Sequence, residues 1–215
     1  MASIARGALT LSAAAVAAYA FALLAVPGMR APFLQERFAS LPLAVWVHIA
    51  GGGSALLLGP LQLSRRLRAR RVALHRALGT TYLAAVLAAG LAGFALALVS
   101  EGGVVAHAGF GALAVAWLGT TSTAYARIRA GDRASHGRWM VRSYALTFAA
   151  VTLRIQLPVS QAAGIPFEVA YPAIAWLCWV PNLFIAEWLL ARRTPLSRPS
   201  ALGTPVSAAR SSRTP

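Results

Sequence analysis

Residues 77–99 read ALGTTYLAAVLAAGLAGFALALV, 23 residues in succession without a charged side chain. An apolar helix of about 20 residues crosses the roughly 30 Å hydrocarbon core of a bilayer at 1.5 Å per residue. The stretch is therefore long enough to span a membrane, and in lipid it must be helical, because no water is there to satisfy its backbone groups. Working outward, comparable runs lie at 41–63 and 104–126 on either side, then at 7–26, 139–159 and 169–191. The six runs predict an all-α polytopic membrane protein of six transmembrane helices, with segments 2 to 5 as a central four-helix bundle. Segment 1 follows Arg6 and contains Ala18, Tyr19 and Ala20, which loosely resemble a signal cleavage site. Its apolar run exceeds the 7–15 residues of a signal core, so it reads as a retained helix.

Composition agrees with this reading. Hydrophobic residues make up 58% of the 215 and charged residues 12%, about half the roughly 25% of a soluble domain. Mean hydropathy is +0.64. An ordinary soluble enzyme and a wholly disordered chain are both excluded. The net charge of +15 comes entirely from arginine, since lysine is absent. Nucleic acid would need those cations on one face of a soluble domain; here they sit between apolar runs, so the expected partner is the lipid bilayer and not nucleic acid. Cys178 is the single cysteine, which removes disulfides and cysteine-based zinc sites. Five acidic residues leave little for a carboxylate site, and no Ser-His-Asp order, phosphate-binding loop or metalloprotease histidine pair is present.

The arginines orient the chain. Seventeen of the 20 fall at the N-terminus, in the turns after segments 2 and 4, and in the C-terminal tail. The opposite side has Arg30 and Arg37, with Arg154 near that end of segment 5. Positive loops stay in the cytoplasm, so both termini are expected there, with 1–193 as the transmembrane domain and 194–215 as a disordered cytoplasmic tail. Trp46, Tyr19, Trp139, Tyr171 and Trp188 lie near segment ends as expected of interfacial belts. Asn182 and Glu187 are expected to pair within the bundle, Glu187 also being in reach of Arg192 or Arg193.

The chain's four histidines fall one to each of helices 2 to 5: His48 and His107 within segments 2 and 4, and His75 and His136 immediately before or opening segments 3 and 5. His48 and His107 lie at similar outer depths; His75 and His136 lie at the inner face. The separations are 59 residues for the outer pair and 61 for the inner. They mark a repeat of outer His, arginine-rich turn and inner His, with a two-fold axis along the membrane normal. Glycine follows at helical spacing: His48 with Gly52, His75 with Gly79 and His107 with Gly111. These glycines either open a slot for a flat ligand or only let helices pack closely.

Histidines facing each other in a helical bundle are the donor set of a six-coordinate haem. The four are read as iron ligands, His48 with His107 and His75 with His136, for two haem b groups that pass electrons. For His75 and His136 a merely interfacial position is the competing reading. Arg76, Arg138 and Arg142 are candidates for inner propionates. Arg154, about 23 Å along its helix from Trp139, suits an outer propionate or snorkels to the headgroups. The competing function is a non-haem transporter or assembly factor whose histidines line a polar or metal-binding cavity.

Two resemblances bear on this. Residues 131–154, GDRASHGRWMVRSYALTFAAVTLR, are the most distinctive in the chain. With His48 and its glycines, Gly59, Pro60, Leu61, Gln62, and His75, Arg76, Ala77, Leu78, Gly79, Thr80, Thr81, Tyr82, they resemble the bacterial membrane family catalogued as domain of unknown function 2306, over segments 2 to 5. That resemblance implies a bacterial inner-membrane protein without implying an activity. The layout of one histidine on each of helices 2 to 5 is similar to cytochrome b-561, in which helices 2 and 4 hold one b-type haem and helices 3 and 5 another. That implies a membrane oxidoreductase or electron carrier with His48 and His107 on one haem and His75 and His136 on the other. No stretch matches that family's ascorbate-binding features. The expected partners are a quinol or small reductant, an electron acceptor, and a second copy of the chain in a homodimer.

Overall fold

Every regular element among residues 2–192, which the computed structural model describes, is helical. In chain order these are α1 (Ala2–Ala25), α2 (Pro32–Ser40), α3 (Pro42–Gln62), α4 (Arg65–Arg70), α5 (Val72–Ala97), α6 (Gly103–Arg129), α7 (Arg133–Thr147), α8 (Ala149–Ala162), α9 (Phe167–Leu177) and α10 (Val180–Ala191). The expected tail at 194–215 and Arg193 lie outside the described residues.

Five helical stretches are long and apolar enough to cross a membrane: Gly7–Ala25, Pro42–Gln62, Val72–Ala97, Gly103–Arg129 and Phe167–Ala191. They cover sequence segments 1 to 4 and 6. The fifth, expected as one helix over 139–159, is divided between α7 and α8, of 15 and 14 residues. The two run on through a tightened turn, where Phe148 N–H still reaches Tyr144 O and Val151 N–H closes onto Phe148 O, each at 2.9 Å. Thr147 and Thr152 flank the break and donate their hydroxyls to the carbonyls four residues back, Ser143 O and Phe148 O. Such back-bonding bends helices.

Prolines open two further places. Pro181 has no N–H for Leu177 O, α9 gives way to α10 there, and Gln156 Nε2 donates to the freed carbonyl at 3.1 Å. Inside α3, Pro60 frees Leu56 O, and the Tyr144 hydroxyl lies 3.5 Å from it. Neighbouring helices thus supply what the broken ladder loses, as a bilayer interior requires.

Helices α3, α5, α6 and α7 pack in that order, and α7 closes back on α3; α1 lies outside α3, and α9 outside α6. Small residues permit the close approaches. A Cβ on Gly51 would stand 2.8 Å from Ala85 O, and one on Gly90 would stand 2.6 Å from Leu118. Two turns along α3 from Gly52, Gly59 seats the buried Tyr144 ring so tightly that a Cβ would lie 2.0 Å from two of its carbons.

The bundle centre is tied by hydroxyls. Tyr82 Oη lies 2.8 Å from Ser143 Oγ and 2.9 Å from Thr147 Oγ1, Thr121 Oγ1 lies 2.7 Å from Ser143 Oγ, and Trp117 Nε1 donates to Thr147 Oγ1 at 2.9 Å. Because Thr147 gives its own proton to Ser143 O, the donors run in one direction: Thr121 to Ser143, Ser143 to Tyr82, Tyr82 to Thr147. Every hydroxyl proton finds an acceptor, and α5, α6 and α7 are fixed to one another at this point.

Candidate functional site

At the end away from the arginine-rich turns, a cavity of about 510 Å³ lies among α1, α2, α3 and α5–α9, within the roughly 300–1,000 Å³ of small-molecule sites. Its wall is mostly aliphatic and aromatic. The polar side chains on it include His48, Arg154, Thr147, Arg37 and Glu101.

His48 comes from α3. Its Nδ1 lies 2.9 Å from Ala89 O, and a carbonyl can only accept, so Nδ1 carries the proton and Nε2 keeps a lone pair. This is the arrangement of metal-binding imidazoles, which anchor one ring nitrogen on the backbone and offer the other. Gly93 makes room for the ring, since a Cβ there would stand 2.8 Å from Nδ1. Arg154 interacts electrostatically with His48. Its Nη1 donates to Ala150 O at 3.0 Å, and its guanidinium lies 5.7 Å from the centre of the Tyr19 ring. Among the described residues the ion pairs are Arg37–Glu101 and Arg142–Glu187, so Arg154 lines the cavity without a carboxylate partner.

His107 stands one turn closer to the α5–α6 turn than Phe110, which does line the cavity. Its Nε2–H donates to Ser100 O at 2.8 Å, which pins that turn. Gly52 lines the cavity with nothing within 4 Å of an added Cβ, whereas Gly111 has Phe94 at 3.8 Å and lies off the wall. Of the expected outer residues, His48 and Gly52 line the cavity, whereas His107 and Gly111 do not, and His107 is bonded to Ser100 O.

The other two histidines lie at the arginine-rich end. His75 and His136 are near enough to interact electrostatically. His136 Nδ1–H donates to Ala124 O at 2.8 Å, which again leaves Nε2 free, while His75 Nδ1 is buried with no hydrogen-bond partner. Gly79 is covered by Gln62, whose Oε1 would be 3.2 Å from an added Cβ and whose Nε2 donates to His75 O at 3.4 Å. Arg76 and Arg138 are exposed, the latter donating to Ser135 Oγ at 2.7 Å. Arg142, expected as a partner for an inner propionate, is taken by Glu187 of α10, Nη2 to Oε2 at 2.8 Å, and lies over Trp139. Glu187 thus pairs with Arg142 rather than Arg192, which lies over Trp188. Asn182 pairs within the bundle, donating to Thr152 Oγ1 at 3.0 Å.

Gly93, Ala89, Tyr171 and Cys178 also line the cavity, a place none of them was expected to take. Ala89 and Gly93 lie four apart, on one face of α5, and that pair of small residues was the available signal for a ring seat. Tyr171, read as part of an interfacial belt, instead stacks on Phe167 with centroids 4.7 Å apart and faces the cavity. Among the described residues no group of three or more His, Cys, Asp or Glu is placed to hold a metal ion.

Fold and site define a polytopic helical membrane protein with an apolar cavity inside its bundle and a histidine and an arginine on the cavity wall. The family model described as a predicted membrane protein, DUF2306, matches residues 45–190, and the chain belongs to that family. The match runs from α3 through α10, further than the resemblance over segments 2 to 5. No curated protein and no solved structure matches the chain.

Proposed function

We propose that the protein is a di-haem b-type cytochrome of the bacterial cytoplasmic membrane, with both termini in the cytoplasm, which passes electrons from a quinol or small reductant to an acceptor across the bilayer. The observation that supports this best is the pairing, on one apolar cavity, of an imidazole with a free Nε2 and a guanidinium with no carboxylate partner. A haem needs both, a nitrogen for its iron and a cation for its propionates.

At the outer layer His48, Gly52 and Arg154 coincide on the cavity, which supports one axial nitrogen and one propionate partner; His107 lies off the wall. The inner layer offers His136 Nε2 and the unpartnered His75 Nδ1, with Gln62 filling the space beside Gly79. His48 and His107 would hold one haem and His75 and His136 the other, with His107 exchanging its bond to Ser100 O for the iron. Bis-imidazole haem supplies reversible one-electron chemistry with no open position for oxygen. The protein's own part is to fix His48 through Ala89 O, to exclude water with the aliphatic wall, and to hold charge at Arg154.

The test is a dithionite-reduced minus oxidised spectrum of the purified protein, with haem counted by pyridine haemochrome. Two low-spin b haems per chain are expected. His48→Ala and His107→Ala should each remove the same one, and His75→Ala and His136→Ala the other. Haem-free protein after expression with ample haem would sink the reading, as would full haem in all four variants.

A further inference from the structure

The short helix α2 presents two neighbouring faces, because Leu34 and Phe38 lie four apart and so do Phe33 and Arg37. The first face is anchored. Leu34 and Phe38 pack against the buried cluster of Ala20, Leu24, Val45 and Ile49, and Phe38 meets Trp46 edge-on with centroids 6.0 Å apart. The second face reaches across the cavity. The Phe33 ring is tilted against that of Phe167 of α9 with centroids 6.4 Å apart, and Arg37 Nη2 donates to Glu101 Oε1 at 2.8 Å. Phe33, Leu34 and Arg37 all line the cavity.

The two sides differ in firmness. No side chain of α2 is fully buried, and a helix this short has little stability of its own. Glu101 sits on a well-defined turn, followed by Gly102 and Gly103 at φ +85° and +63°, a backbone that glycine adopts without strain. His107 clamps that turn through Ser100 O. The ion pair itself reaches solvent, with side chains 25% and 45% exposed. The cavity's other flank, between α1 and α8, is bridged by Tyr19 and Arg154.

We propose that α2 is a lid, hinged on Leu34 and Phe38 and latched by Arg37–Glu101, through which the cavity exchanges a small water-soluble ligand with the aqueous phase at the end away from the arginine-rich turns. The lid rests on α2 and its latch and not on the cytochrome reading; a haem between His48 and His107 would occupy the same cavity and exclude that ligand.

The chain contains its own reporter, because its single cysteine, Cys178, is buried and lines the cavity. The protein in lipid nanodiscs is treated with an anionic, water-soluble thiosulfonate and, separately, with a lipid-soluble maleimide, and total thiol is measured after denaturation in SDS. The thiosulfonate is expected to label wild-type Cys178 slowly. Arg37→Gln and Glu101→Gln should each speed it about two- to fivefold, the range that loss of a partly exposed ion pair allows. High salt should accelerate wild type and leave the variants unchanged. The exchanged pair Arg37→Glu with Glu101→Arg should restore the slow rate, which general loosening of the fold would not do. Labelling by the maleimide alone would overturn the proposal in favour of entry from the bilayer. Equal rates in all proteins, or no native labelling by either reagent, would overturn it outright. Haem content recorded on the same samples scores the cytochrome reading separately.

Discussion

Gly52→Ala and Gly59→Ala are the same chemical change made twice on one face of α3, seven residues apart, yet they should act in opposite directions. At Gly52 an added methyl meets nothing within 4 Å, so the gain of alanine over glycine in a helix, up to about 1 kcal/mol, is available in full. At Gly59 the methyl would lie 2.0 Å from two carbons of the Tyr144 ring, when carbon pairs settle at about 3.5–4.0 Å. The ring must withdraw by about 1.5 Å or more. It has little freedom to do so, being 3% exposed and near Leu56 O through its hydroxyl. Overpacking of this kind costs about 1–3 kcal/mol. Subtracting one variant from the other removes the helix-propensity gain and leaves this steric cost. The assay is SDS-titrated unfolding in mixed micelles followed by tryptophan fluorescence. Gly59→Ala placed in a Tyr144→Leu background should lose most of its penalty. A difference between the two variants below about 0.5 kcal/mol, well under the expected overpacking cost, or Gly52→Ala proving the weaker protein, would refute the packing argument.

Other outcomes follow from particular contacts. Tyr82→Phe removes two interhelical hydrogen bonds and should cost about 1 kcal/mol in the same titration, at about 0.6 for each such bond in a membrane. Gln156→Leu strands the carbonyl freed by Pro181 and should cost about 1–3 kcal/mol, whereas Gln156→Glu at a pH that protonates it should recover part of the loss. Asp132 caps α7 by accepting from Ser135 N–H at 2.9 Å, and its hydrogen bonds to Ser135 hold the carboxyl below the usual carboxylate range. Its contribution is therefore complete above the unfolded-state pKa and is lost as pH falls through the lower folded value. The protection of the Ser135 amide, its exchange rate relative to the intrinsic rate at each pH, should fall in acid in wild type and show no such step in Asp132→Asn.

Much of this architecture could be read from the sequence because lipid leaves few choices. Uncharged runs of sufficient length must be helices, and the arginine turns separate the two ends. The placement of one histidine on each of four packed helices was equally visible. What could not be read were partnerships decided by helix rotation. Arg142 lies a turn and a half beyond His136 in sequence, yet its side chain meets Glu187 on α10. His107 looks equivalent to His48 until the α5–α6 turn brings Ser100 O to its Nε2. The break at Phe148 has neither proline nor glycine to announce it; two threonine hydroxyls produce it. The cover formed by α2 depends on residues with too little apolar length to register as a membrane element.

The prolines also set a timetable for assembly. Leu56 O loses its helical donor as soon as Pro60 is joined, but the hydroxyl that approaches it belongs to Tyr144, 84 residues after Pro60. At roughly 5–20 residues per second, the ribosome needs about 4–17 s to bridge that interval. The Gln156 partner of Leu177 O is only 21 residues away and has been synthesised beforehand. During the longer wait α3 is a helix with an open acceptor in a solvent that has nothing to offer it. That early half of the chain should therefore be the stretch on which membrane insertion factors linger.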